Sequence, residues 1–315
     1  MTQMKTITGN GNGTGAAGSR RSYRAVPSQR STAVNLGPLQ DLPGFWEGTG
    51  FSLTARPDFS GGNPDGFFLE LNLLRETIEF TTIGSPVMNR GSVQGDIAMY
   101  GVTYLHRVTD ATTGEALHIE PGLLLNIPAT TEPQADASVA RLATVPHGTS
   151  FCAVGFAQDV VFDGIPDIPP ANTVPFPVGS QPPPPGTPNP FPEYDLSVDT
   201  PFRTVPTPAG ITQETIDDPH AVLRAALREQ AAEGHVLTQA TWLITSTERA
   251  GGIGNIPFIV SNANPLSLAS VFSIETVRSP AGTEYLQLGY SQTALLNFRG
   301  LSFPHVTVGT LVKAF

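Results

Sequence analysis

The sequence predicts an all-β fold, a single closed antiparallel β-barrel of about ten strands interrupted by a Pro-rich insertion and one short helix. Three observations carry that prediction. Apolar and β-branched runs recur at short spacing between turn residues along most of the chain. Glycine and proline, 32 and 30 of 315 residues, make up about a fifth of the chain against a usual share of roughly 12%, which suits many short strands better than long helices. The strand signals fall into two groups around one insertion, and either group alone would form an open sheet with edges to cover. Joining them in one barrel removes the edges.

Residues 1–35 hold Gly, Ser, Thr, Asn and Arg with hardly an apolar side chain, and are expected to form a disordered basic tail because they cannot offset their ordering entropy. Strands are expected near 45–54, 67–74, 76–83, 99–109, 115–127, 138–145 and 149–160. "FFLELNLL" with "ETIEFTTI", and "YGVTYLHRV" with "DATTGEALHIEPG", read as hairpins, the second turning at "TTG". From 161 to 234 proline is too dense for a ladder, so the chain must leave the barrel as extended surface segments. Within this insertion "DDPHAVLRAALREQAAEG" predicts a helix over about 218–233, with Asp218 as N-cap, Pro219 at the first position and Gly234 as the stop. Its face of Val222, Leu223, Ala226 and Leu227 should dock, and the insertion could close or reshape the barrel mouth. Strands resume near 235–246, 268–278, 283–297 and 303–312.

Net charge of −10 and the absence of a basic, aromatic-laced stripe argue against nucleic acid as a partner. The basic residues Lys5, Arg20, Arg21, Arg24 and Arg30 all precede the first acid, Asp41. The single cysteine, Cys152, excludes an internal disulfide and reads as a small core residue. With no apolar run of membrane-spanning length and no signal h-region, a soluble cytoplasmic protein is the expectation. A homodimer stays open as an assembly.

A barrel of this size has room for one small ligand, so inward residues are the candidates for chemistry. Alternation puts Phe303, His305 and Thr307 on one face of the last strand, and His118 with Glu120 on one face of "EALHIEPG". Whether that second face is solvent or interior is left open by the pattern. His147 lies at a turn in "VPHGTS". His106 is expected to face solvent beside Arg107, and His220 and His235 are expected to carry no chemistry. "GGIGNIPF" is Gly-rich, but is not expected to open a helix or to cradle phosphate.

The four segments "LGPLQDLPGFWEGTGF", "LHIEPGLLL", "TVPHGTSFCAVG" and "FPHVTVGTL" occur in an order that resembles the nitrobindin family. The resemblance spans about 36–160 and 235–312 and leaves 161–234 outside it. It implies a calycin-like barrel of ten antiparallel strands that binds haem b. Carried across by position, His305 would be the proximal iron ligand, with Phe303 and Thr307 beside it. His118, Glu120 and His147 would stand at the mouth or distal side as candidate catalytic groups. The activity implied is at ferric haem, on nitric oxide, peroxynitrite or peroxide. Two alternatives remain: a haem-free carrier of the lipocalin or fatty-acid-binding type, and a barrel enzyme for an apolar small molecule with Glu120, His118 or His147 as acid or base.

Overall fold

The computed structural model describes residues 35–314; the expected disordered tail therefore lies, Asn35 apart, outside the described residues. Ten long strands run in sequence: β1 (Gly44–Pro57), β2 (Phe67–Thr82), β3 (Ile97–Asp110), β4 (Ala116–Ile127), β5 (Ser138–Val145), β6 (Thr149–Val161), β7 (Val236–Asn255), β8 (Asn264–Arg278), β9 (Glu284–Phe298) and β10 (Leu301–Lys313). Each pairs antiparallel with its neighbour in sequence, and β10 returns to β1 from Trp46↔Lys313 to Leu53↔Val306. The result is a closed, ten-stranded antiparallel all-β barrel.

One expectation is corrected within this meander. The hairpin proposed between 67–74 and 76–83 does not exist; β2 is continuous across it. The reason is visible in "LNLLRETIEF", which has no Gly, Pro or Asp at which the chain could reverse, so the strand runs on while its buried positions pass from Leu69 and Leu71 to Leu74, Ile78 and Phe80. The "TTG" hairpin forms, with Gly114 at φ +76.

Two separate cores follow from the two faces of the strands. Inside, the lead-in turn Gly37–Leu39 plugs one end of the barrel, where Leu36, Leu39, Leu42 and Trp46 pack with Ile78, Phe80, Phe272, Leu288 and Leu311. Trp46 donates its indole N–H to the Leu42 carbonyl at 2.8 Å, as a buried indole must find a partner. Outside, Phe51, Leu53, Leu69, Leu71, Val306 and Val308 form a second core with Tyr194, Ile211, Ile216 and Leu223 of the insertion.

The insertion occupies the interval between Val161 and Val236 and packs on this outer wall. It does not reach the barrel mouth: none of its residues lines the interior cavity. The expectation of a lid there is corrected, because the apolar outer face of β1, β2 and β10 demands cover first. β2 pairs with β3 only from Leu74 onward, and the free edge is filled by the insertion through Leu69 N to Phe202 O at 2.9 Å and Thr204 N to Leu69 O at 3.0 Å. Buried Arg203 holds the loop together by donating to the carbonyls of Glu193, Asp195 and Val198 at 2.8 to 2.9 Å.

The insertion carries α1 (Gln213–Asp217) and α2 (His220–Ala232). The latter is the expected helix, begun two residues later than predicted; Asp218 still accepts the His220 backbone N–H at 3.0 Å, and Gly234 at φ +84 ends it. Ala221, Leu223 and Leu227 are its buried residues. A further helix, α3 (Pro257–Asn262), follows "GGIGN" directly, contrary to the expectation that this segment opens none. Cys152 is only partly buried. No helix among the described residues is long and apolar enough to cross a membrane.

Candidate functional site

The half of the barrel opposite the Trp46 plug is hollow, with a cavity of about 540 Å³, within the roughly 300–1,000 Å³ usual for small-molecule sites. Ser52 and Thr54 of β1, Asn72 and Leu74 of β2, and His305 and Thr307 of β10 line one side of it. These alternate with the outward residues of the second core, as the period of two requires. Phe303 shares parity with His305 but leaves the cavity: it stacks on Phe298 at 4.2 Å and packs on Phe67 at 5.1 Å, in the outer core.

At the mouth, α3 takes the place the insertion was expected to fill. Ile259, and Ala263 just after the helix, line the cavity. The segment is stapled by Asn255, which accepts from Thr149 Oγ1 at 2.9 Å and donates to Asn264 Oδ1 and the Pro265 carbonyl, both at 3.0 Å.

His305 is part of the cavity wall and is partly buried. Its Nε2 is sealed from solvent and has no hydrogen-bond partner among the described residues; the bond its ring makes to the Ala55 backbone therefore uses Nδ1. Burial pushes its pKa down to about 4, partly offset by that bond. The imidazole is thus neutral near pH 7. With Nδ1–H donated to a backbone acceptor, the Nε2 lone pair is free.

Across the barrel the wall is polar. In a ring of ten strands β5 lies five strands from β10 in either direction, so Arg141 on β5 and His305 on β10 occupy opposite sides. Arg141, 2% exposed, donates to Glu120 Oε1 at 2.6 Å, to the Tyr104 hydroxyl at 3.0 Å and to Ser270 Oγ at 3.1 Å. Its guanidinium lies over Phe272 at 4.8 Å and Phe151 at 5.3 Å. Tyr104 also donates to Glu120 Oε1. Burial alone would raise the Glu120 pKa, but Arg141, His118 and Tyr104 outweigh it and hold the carboxyl ionised far below its ordinary range.

His118, Glu120 and His147 meet at this wall. His118 Nε2 is 3.4 Å from Glu120 Oε2, a contact weaker than a full hydrogen bond. The His118 and His147 rings stack at 6.1 Å, and burial, with the neighbouring His118, lowers the His147 pKa. All three line the cavity, so the face of β4 left undecided by alternation is the interior one.

His106 is the main relocation. It is 6% exposed and lines the cavity, not solvent, because it shares parity with Val102, Tyr104 and Val108. Its Nε2 lies 2.6 Å from Glu76 Oε2, and the Tyr290 hydroxyl donates to that same oxygen at 2.6 Å. Glu76, Tyr290, Arg141 and Tyr104 were not among the sequence candidates. A signal for Glu76 existed: in "LLRETIEF" it shares a face with Leu74, Ile78 and Phe80, an acid within an apolar stripe. The glycines of "WEGTGF" complete it. A side chain at Gly50 would collide with Glu76 Oε1, and a Cβ at its cross-strand partner Gly309 would stand 2.7 Å from the same atom. His220 and His235 lie outside the cavity; His220 bridges the Pro169 carbonyl and Ser291 Oγ, each at 2.6 Å, and tethers the insertion.

Among the described residues no three His, Cys, Asp or Glu side chains gather as a metal centre. No family model and no curated protein matches the chain. Solved structures that match include the crystal structure of Rv2717c from M. tuberculosis, at 15% identity and a TM-score of 0.42, covering 89% of this chain and 98% of that one.

Proposed function

We propose that this barrel binds haem b, with His305 as the single protein ligand to iron. One observation carries the reading: a neutral imidazole on the cavity wall has its Nδ1 fixed by the Ala55 backbone and its Nε2 left buried without a partner. A buried polar atom without a partner costs about 1–3 kcal/mol, and an imidazole with one nitrogen anchored and the other free is how histidine meets a metal. One neutral imidazole with a free nitrogen is a donor set that would suit haem iron, and His305 is the residue that would hold it. Leu74, Phe151, Leu268, Phe272 and Leu296 supply apolar walls for a flat macrocycle. Bound haem would supply an iron with an open position for peroxynitrite, nitric oxide or peroxide. His118, Glu120 and His147 on the far wall are the groups that would orient such a ligand or exchange protons with it.

The test is a spectrum. Titrating hemin into the purified full chain should produce a shifted Soret band of one-to-one stoichiometry that is lost in His305→Ala. An unchanged band in His305→Ala, or no band in the parent protein, sinks the haem reading. The second reading, a haem-free carrier or barrel enzyme for an apolar small molecule, is favoured by the carboxylate and imidazole groups that line the cavity away from His305. Absence of haem binding together with saturable uptake of an apolar fluorophore would support it.

A further inference from the structure

The haem reading gives no part to His106, Glu76 or Tyr290, yet these three form a buried hydrogen-bonded group on the cavity side of the wall. When ionised, Glu76, 1% exposed, offers acceptor oxygens and no donor. Tyr290 donates its hydroxyl proton to Oε2, and the same oxygen at 2.6 Å from His106 Nε2 draws the imidazole proton to that nitrogen. The tautomer so assigned leaves a lone pair on Nδ1. Nδ1 makes no hydrogen bond among the described residues and is not one of the sealed polar atoms. Since His106 lines the cavity, the cavity is what reaches this nitrogen.

Besides Glu76 and Tyr290, His118 stands edge-on to His106 at 6.4 Å, and Glu120 is its cross-strand partner. The cation of this wall, Arg141, is already engaged by Glu120. An imidazolium formed at His106 would thus keep its Nε2–H on the Glu76 carboxylate, the arrangement by which a buried acid stabilises a protonated base.

We propose that His106, backed by Glu76, is a proton-accepting group of the cavity, and that the cavity takes an apolar molecule bearing one hydrogen-bond donor, of the phenol or enol class, with that O–H on Nδ1. Only the O–H bond changes: the proton passes to Nδ1, the ligand becomes the oxyanion, and the new positive charge faces Glu76. Leu268, Phe151, Phe272 and Leu296 provide the apolar enclosure. The inference stands apart from haem binding and is tested with none added.

The probes are 2-naphthol, a strong acid when electronically excited, and 2-methoxynaphthalene, which has nearly the same shape and no proton to give. In fluorescence titrations of the full chain, 2-naphthol should bind about tenfold more tightly, the size of one hydrogen bond made in a dry site. When excited, bound 2-naphthol should emit as naphtholate. His106→Leu should abolish the affinity gap and the naphtholate emission while 2-methoxynaphthalene still binds. His106→Gln, which can accept a hydrogen bond but take up no proton, should lose the emission and keep part of the gap; it serves if the leucine variant does not fold. Glu76→Gln should weaken the emission several-fold. Equal affinities in the parent protein, no binding of 2-naphthol, or naphtholate emission retained in His106→Gln would overturn the proposal. A lost Soret band with these results intact would remove the haem reading alone.

Discussion

The two sides of the barrel wall obey opposite rules. On β1, β2 and β10 the outward residues, Phe51, Leu53, Leu69, Leu71, Val306 and Val308, are completely buried, whereas the inward Ser52, Thr54, Asn72, His305 and Thr307 face a cavity. In most barrels the strongest apolar stripe marks the inside. Here it marks the surface on which the insertion sits, and the inside of the hollow half is where polar groups are concentrated. Apolar alternation therefore identifies the two faces of a strand without saying which one encloses the ligand.

Substitutions sharpen this contrast. The largest effect is expected inside, at Arg141. Arg141→Met leaves the Glu120 carboxylate buried without its counter-charge, and removal of one partner of such a pair costs about 3–5 kcal/mol, readable as a drop in the denaturation midpoint. Outside, Leu69→Ala opens a hole under the insertion and should cost about 2–5 kcal/mol in the same measurement. If Leu69→Ala were nearly neutral, the outer face would not be a core.

Two buried titrating groups, one on each side of the wall, should bend the pH–stability curve in opposite senses. Glu275 lies under α2, where Gln230 reaches Gln287 and Gln287 donates to Glu275 Oε2 at 2.7 Å. Burial raises its pKa from 4.5 to about 7, so the folded state favours the protonated form. The associated stability is intact below pH 4.5 and lost as pH rises through 7, by up to roughly 3 kcal/mol. Glu275→Gln should therefore stabilise the protein at pH 8 and change little at pH 4.5. His305, lowered from 6.5 to about 4, acts the other way. Folding excludes a proton that the unfolded chain takes up, so stability present above pH 6.5 declines as pH falls toward 4, and His305→Leu should flatten that limb. Chemical denaturation across pH 4–8 checks both. The smallest effect is expected for Thr307→Val, at a residue that faces the cavity and whose side chain donates no hydrogen bond among the described residues; it should stay within about 0.5 kcal/mol.

Much of the barrel was legible because each strand carries its own period and its own turns, as at Gly114. The continuous β2 was not read as one strand because its length exceeds the usual strand, and length invited a turn where none is encoded. His305, His118, Glu120 and His147 could be singled out as polar residues on otherwise apolar strands. Phe303 shows the limit of parity: near the start of its strand, contact with Phe298 and Phe67 wins over alternation. His106 and Glu76 escaped because each looks ordinary alone. Their partnership exists only once β2 and β3 are registered as Ile78↔His106 and Glu76↔Val108, and registration across strands is not written in any one segment.

The insertion also has a modular consequence. It leaves the barrel after six strands and returns for four, and the proline run 182–185, exposed except at Pro183, lies between those groups. A break in the peptide chain at that run would leave two fragments, each ending in an intact strand set and sharing the outer core as a dock. Co-expressed as separate polypeptides, they have the geometry of a split reporter, in which reassembly of the wall rebuilds the cavity, with His106 and Arg141 supplied by one piece and His305 by the other.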